Sequence, residues 1–423
     1  MSVTIAGQID IAGPVGKLLH RRPLKNETVM QSFGIDPVSG DIYVLQIMEG
    51  GVQLSGESAP VPWATRLTDG DLCLTRLSPA GAITGYMYLR GFGHGVNLGV
   101  DNRNGAVWLW TETASSPNSR NEGFGTAVTS FPFASGTVVD YGSSAHTPPF
   151  KPDPAARGVT PTIDRSAGEL VLRFNLGGVM TFDRYDLAKA TAGEWERLQR
   201  LSVTLPPEGV DFQGYASHNG VLYTLQGQGL SKVPLPGNTY ITAIEWATGA
   251  VLDRQHITAG PGLEHREAEG MTVTVQDGVP HLHFGFACED PGPRTCTILT
   301  LSGAPETDGV KVLTDWQPIT LAAGVTVDQN APRGRLISLA GVTTLQLSGG
   351  VKGSFSADAV IGYLPDSLTP SMAARASVAR NSNGGYAVAR VEAGTDRELR
   401  LFGGRTTNVI TWAQLDSFSA VWR

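Results

Sequence analysis

The chain carries only three cysteines in 423 residues, Cys73, Cys288 and Cys296. Three cannot build a disulfide framework. Cys288 and Cys296 could pair, but three buried free thiols are the plainer expectation, so the fold does not lean on an oxidising compartment. Charge is also scarce: 17% of residues are charged, and 32 Lys and Arg fall short of 39 Asp and Glu, leaving a net charge of −7. That balance lacks the basic footprint of a nucleic-acid-binding protein. No run of about eighteen apolar residues occurs, so no membrane-spanning helix is expected. The opening "MSVTIAGQIDIAGPVGKLL" lacks the basic stretch and unbroken apolar core of a signal peptide. P-loop, Rossmann glycine pattern and nucleophile elbow are missing as well, and no cofactor is expected.

What is abundant is glycine, 52 residues, with 26 prolines, the composition of an all-β protein with many short strands and turns. Five segments share one grammar: "FGIDPVSGDIYVLQI" from 33, "LGVDNRNGAVWLWTE" from 98, "PTIDRSAGELVLRF" from 161, "YASHNGVLYTLQG" from 215 and "MTVTVQDGVPHLHFGF" from 271. Each is an apolar strand, a polar turn ending in glycine, and a second apolar strand. The turn glycines Gly40, Gly105, Gly168, Gly220 and Gly278 lie 65, 63, 52 and 58 residues apart. Hairpin turns need positive φ, which glycine adopts at little cost. Strands apolar on both faces must be covered on both sides, as in sheets stacked against neighbouring sheets. A second hairpin follows most units, with turn glycines Gly81, Gly136 and Gly249, and the third unit, "FDRYDLAKATAGEWERLQRL", has room for a short helix. Two hairpins per repeat and five repeats predict a five-bladed β-propeller.

The predicted organisation is a lead-in or anchor over residues 1–24, the propeller over 25–311, and a small antiparallel β-sandwich, jelly-roll-like, over 312–423. The last assignment follows from short alternating strands without the propeller spacing.

Before each first strand stands a polar residue followed by a small one: Gln31-Ser32, His94-Gly95, Arg157-Gly158, Gln213-Gly214 and Glu269-Gly270. Small residues let five inner strands converge, and Gln31, His94, Arg157, Gln213 and Glu269 would then ring one mouth of the channel, with Glu267 beside them. This ring is the candidate ligand-binding site. Its plainer role is mutual hydrogen bonding with ordered water at a crowded axis. Catalysis by a propeller glycosidase needs two facing carboxylates; Glu267, Glu269, Asp211 and Glu112 are candidates, yet only Glu269 of the five ring positions is a carboxylate, and no catalytic residue is assigned. Asp36, Asp101 and Asp164 open hairpin turns, where Asp caps backbone amides. His281 and His283 share a strand face, an arrangement compatible with a metal but without an evident third ligand, and no metal is assigned. Trp108 and Trp110 also share a face and suit packing between blades. Trp63, Phe124 and Phe131, in long connections, are better placed to stack on sugar rings.

The stretches "TVMQSFGIDPVSGDIYVLQ", "LCLTRLSPAGAITGYMYLRGFGHGVNLGV", "FQGYASHNGVLYTLQG", "GNTYITAIEWATGAVLDRQ" and "HREAEGMTV…HFGFA" resemble teichoic acid biosynthesis protein C-like propellers, shared with receptor-binding proteins of phages of Gram-positive bacteria. The resemblance runs over about residues 20–300; Ala268 stands in "REAEG" where the family pattern has proline. The C-terminal part, through Trp316, "LQLSGGV" and Leu364-Pro365, resembles small β domains ending phage tail proteins. The resemblance implies a non-enzymatic virion tail component, made in the host cytoplasm and acting at the cell surface. Its implied partners are a host cell-wall glycopolymer or saccharide and other tail or baseplate proteins, with a homotrimeric assembly. The competing readings are a structural tail component without a host ligand and a wall-polymer hydrolase. A polyanionic ligand would need clustered cations, for which Arg90, Arg103, Arg157 and Arg266 are available.

Overall fold

The computed structural model describes residues 9–206, 209–289, 292–303, 311–339, 342–382 and 385–422. It divides into two units, residues 1–305 and 306–423; the lead-in expectation for 1–8 and the linker at 304–310 lie outside the described residues. The first unit is a five-bladed propeller. Blade 1 runs outward through Met30–Ile35, Ile42–Ile47, Leu72–Leu77 and Ile83–Arg90; blade 3 through Arg157–Asp164, Glu169–Leu176, Val179–Asp186 and Arg197–Val203; blade 4 through Phe212–His218, Val221–Gln226, Tyr240–Glu245 and Val251–His256. Gly40, Gly105, Gly168, Gly220 and Gly278 all join the innermost strand of a blade to the second, and all have φ between 66° and 82°. A short helix, Leu187–Thr191, follows the third strand of blade 3.

An apolar cluster fills each seam between neighbouring blades. Leu45 and Leu74 meet Leu109 and Phe131 between blades 1 and 2; Trp110 meets Leu170 and Tyr185 between 2 and 3; Phe182 meets Tyr215 and Trp246 between 3 and 4; Tyr223 meets Leu282 and Phe284 between 4 and 5. This is why the repeat strands are apolar on both faces: each face packs on a neighbouring sheet. Two blades depart from the regular pattern. Blade 5, Glu267–Gln276, Val279–Cys288 and Thr295–Ser302, takes its outermost strand from the start of the chain, Val15–Pro23, paired antiparallel to Thr295–Ser302. Leu19 is the buried residue of that strand, and it joins Cys296 and Ile298 to Phe33 and Val44 of blade 1. Blade 2 has three paired strands, Gly99–Arg103, Ala106–Pro117 and Gly123–Pro132. The expected hairpin at Gly136 is not formed: the chain crosses instead to blade 1, where Val138–Asp140 runs parallel to Ile83–Arg90. The three cysteines are buried free thiols.

At the axis the inner strands nearly touch. Ser32 donates its hydroxyl to the Gly95 carbonyl at 2.5 Å. A Cβ on Gly214 would lie 3.0 Å from the Gly270 Cα, and one on Gly270, at φ 74°, would lie 2.7 Å from the Ser32 Cα. Gly270→Ala is therefore expected to lose about 2–4 kcal/mol of stability from backbone strain and overlap together; a shift in thermal midpoint below about 2 °C would contradict this packing. Asn97 is fully buried and spans the axis from blade 2, donating to the carbonyls of Pro161 (3.0 Å) and Tyr215 (3.2 Å) on blades 3 and 4.

The second unit is one continuous antiparallel sheet. Its main path runs Thr326–Leu339, Val342–Phe355, Ile410–Gln414, Ala374–Ser382, Gly385–Ala393, Glu398–Phe402 and Ala359–Tyr363. The stretch preceding this path pairs with both of its ends: Gln317–Pro318 with Thr326–Leu339, and Thr320–Leu321 with Ala359–Tyr363. The sheet is thus nearly closed around Leu345, Val378, Val391, Leu399, Ile410 and Phe418, and the two layers of the expected sandwich are opposite walls of this one sheet.

Candidate functional site

One end of the propeller axis opens into a cavity of about 630 Å³, within the roughly 300–1,000 Å³ usual for ligand sites. Its floor is built by a repeated device. The innermost strands of blades 1, 3, 4 and 5 each carry a β-bulge near their start, between Met30 and Ser32, Arg157 and Thr160, Phe212 and Gly214, and Ala268 and Met271. A bulge inserts one residue without a cross-strand partner and re-aims its side chain. Gln31, Gln213 and Glu269 fall inside these bulges and line the cavity, with Glu267 beside them and His94 contributed by the loop before blade 2.

Arg157 does not join them. It pairs with Asn175 just before the bulge of its own strand and stays exposed, with Nη1 on the Ala156 carbonyl at 3.0 Å. Arg173, from the second strand of blade 3, fills that sector and lies over the Phe212 ring at 4.5 Å. Its Nε is buried without a hydrogen-bond partner. Arg90 pairs with Asp140, Arg103 with Asp101, and Arg266 is fully buried against the carbonyls of Ile257 and Ala259, so none of these lines the cavity. The cations that do are Arg120, Arg173, Lys232 and Arg294.

The rim comes from connections between second and third strands. In blade 1 the helix Trp63–Asp69 presents a half-exposed Trp63; it ends at Gly70 (φ 75°), and its buried Arg66 binds Glu57 at 2.5 Å and Asp71 at 2.7 Å. In blade 2 the hairpin carrying Arg120, Glu122 and Phe124 leans inward, and His94 stacks on Phe124 with ring centroids 4.4 Å apart. Burial pushes His94 down to about 4, so the ring is neutral at physiological pH and behaves as an aromatic plate. Phe131, by contrast, is wholly buried in the seam of blades 1 and 2.

Glu112 lies behind the cavity wall and is fully buried. Its carboxylate accepts amide hydrogens from Gly95 (2.5 Å), Val96 (3.2 Å) and Gly125, tying the His94 loop to the Phe124 strand. Burial raises its pKa, and the amide hydrogen bonds oppose that rise. Glu269 is the opposite case: 5% exposed, facing the cavity, and held well above the usual carboxylate range by burial first and then by Glu267 and Asp211, against the opposing pull of Lys232. His283 bridges the hydroxyls of Thr274 and Thr300 at 2.8 Å each, and burial pushes it down to about 3, so both its nitrogens are occupied within the fold. Among the described residues no group of three His, Cys, Asp or Glu side chains could hold a metal ion. Asp36 and Asp164 cap their turns, accepting from Ser39 and from Ser166 and Ala167.

This architecture places the chain among propellers whose bulged inner strands and rim loops build a single axial cavity. Over residues 29–277 it matches the family of the phage five-bladed β-propeller receptor-binding platform domain, and it belongs to that family. It is 26% identical over 309 residues to the putative major teichoic acid biosynthesis protein C of Bacillus subtilis strain 168, covering 68% of this chain and 63% of that one; the chain thus spans less than two thirds of that relative's length. In fold it is similar to the tail fiber of Staphylococcus aureus phage P68, with a TM-score of 0.51 and 13% identity over 80% of this chain and 74% of that one. The receptor-binding protein of Listeria phage PSA aligns over 28% of this chain and 67% of its own, with 20% identity and a TM-score of 0.22.

Proposed function

We propose that the protein is a phage tail component that adsorbs to the host surface by binding a cell-wall glycopolymer or saccharide in the axial cavity. The supporting observation is the convergence there of aromatic faces and hydrogen-bonding charges from all five blades: Trp63 and Gln31 from blade 1, Phe124 and His94 from blade 2, Arg173 from blade 3, Phe212 and Gln213 from blade 4, and Glu267 and Glu269 from blade 5. Flat rings offer their faces to sugar C–H groups, and the charged and amide side chains meet hydroxyls. Weak single sites of this kind gain from repetition, and a homotrimer held to other tail or baseplate proteins would supply it. The protein would then reside in the virion after synthesis in the host cytoplasm. Trp63→Ala combined with Phe124→Ala is expected to weaken retention on purified host walls at least about tenfold, or ~1.4 kcal/mol. Retention unchanged by that pair, or by stripping the glycopolymer from the walls, would refute the assignment and favour a connector without a host ligand.

A second reading rests on Glu269. A carboxyl kept neutral by burial can give a proton, and Glu267 and Asp211 in the same cavity are carboxylates able to take one. Soluble fragments released from purified walls by the wild type, and not by Glu269→Gln, would establish hydrolysis.

A further inference from the structure

The cavity's charged groups differ in one respect. Lys232 Nζ lies 3.5 Å from Asp211, Arg120 Nη2 lies 3.1 Å from Glu122, His265 Nε2 lies 2.9 Å from Glu267, and Arg294 reaches the Glu289 carbonyl. Glu269 is more than nine-tenths buried, faces the cavity, and its carboxyl has no ion-pair partner among the described residues. A buried carboxyl with no cation beside it is stable in its neutral form. Around it stand Glu267 on its own strand, Asp211 and Lys232 from blade 4, Arg173 from blade 3, and the neutral rings and amides of His94 and Gln31.

The charge count then turns on one proton. The cavity lining holds four cations, Arg120, Arg173, Lys232 and Arg294, and four carboxyls, Glu122, Asp211, Glu267 and Glu269. With Glu269 neutral the site is net positive within a chain of net charge −7; with Glu269 ionised the excess vanishes. Arg173 is the cation best placed to use that excess, since its buried Nε has no partner and its guanidinium is held flat over Phe212.

We propose that the axial cavity binds a phosphodiester-bearing sugar or polyol unit through Arg173, and that Glu269 couples this binding to proton uptake, so that adsorption tightens as pH falls. This inference rests on the reading of the cavity as the receptor site. The sign follows from charge. An anion entering beside Glu269 disfavours its ionised form further, so the complex holds its proton to higher pH than the free protein does. Affinity is full below the pKa of free Glu269 and falls as pH rises through that value toward the pKa in the complex. A unit charge at close range in a partly buried site changes affinity by about tenfold.

The test uses the full chain with a sugar phosphodiester, whose single charge stays constant across the range, and its unphosphorylated counterpart. Binding is measured from about pH 5 to about pH 9. The wild type is expected to bind the phosphodiester about tenfold more tightly at the acid end and to prefer it to the neutral sugar. Glu269→Gln, which keeps the shape of the neutral acid, is expected to flatten the profile and to bind more tightly than the wild type at the alkaline end. Calorimetry of the wild type in two buffers of different ionisation enthalpy reads proton uptake directly and does not depend on the variant folding. Zero uptake near neutral pH, or the same pH slope in both proteins, overturns the coupling. Retention on walls together with equal affinity for the phosphorylated and neutral sugars overturns the anion assignment alone. Loss of wall retention at every pH overturns the receptor-site reading itself.

Discussion

Glu112→Ala is expected to lower the thermal midpoint of the propeller by about 10 °C and to abolish wall retention. In the wild type one fully buried carboxylate satisfies the amides of Gly95, Val96 and Gly125. Truncation strands those donors away from water, at about 1–3 kcal/mol each, and leaves a void where the side chain stood. With about 2–4 °C per kcal/mol for a domain of this size, the shift should be large. Binding should suffer too, because the same carboxylate fixes the loop bearing His94 against the strand bearing Phe124. Glu112→Gln keeps the volume but brings an amide nitrogen toward donors, so about half of the loss is expected. Calorimetric scanning of both variants decides the matter; a midpoint within about 2 °C of wild type for the alanine variant would show that the loop is held by something else.

Leu19→Asp should be at least as damaging, while Leu18→Asp, its neighbour, should be nearly silent. The strand Val15–Pro23 is exposed along most of its length, and Leu19, 3% exposed, is its single buried residue. It sits in the seam that joins blade 5 to blade 1. An aspartate there places a carboxylate among Phe33, Val44 and Ile298 with no cation to meet it, a change worth about 3–5 kcal/mol or proton uptake in its place. The ring then loses its last closed seam, and soluble yield should drop together with the thermal midpoint. Leu18 is 37% exposed, and a surface change of this kind usually stays within about 0.5 kcal/mol. Equal behaviour of the two variants would mean that the strand does not close the ring.

Much of this arrangement was legible in the chain. Five glycines at hairpin positions, each after an apolar strand, announced five equivalent units, and all five sit at the same corner of their blades with positive φ. The polar-then-small pairs pointed to the axis, where Gln31, His94, Gln213, Glu267 and Glu269 line one cavity. Arg157 was misplaced because a one-residue difference in bulge position turns a side chain out of the channel, and no residue pattern signals that offset. Arg120, Lys232 and Arg294 stand on connections that differ from blade to blade, so the repeat gave no help; only a basic residue in an otherwise irregular loop hinted at them. Val15–Pro23 showed no alternation because an edge strand with one buried residue has none to show. The crossing of Val138–Asp140 to blade 1 was hidden for a different reason: a parallel partner needs no hairpin turn, so the Gly136 turn was read as joining neighbours.

Asn97 sets what kind of receptor the cavity can read. Its side chain ties blade 2 to blades 3 and 4 across the axis, where the inner strands already lie in contact. The channel is therefore a blind socket with a single entrance, and no polymer can be threaded from one face of the disc to the other. A long chain has to offer a terminus, a branch or a pendant residue, and copies that all present the same ends would be counted by number of tips, with the length of the strand between them going unread.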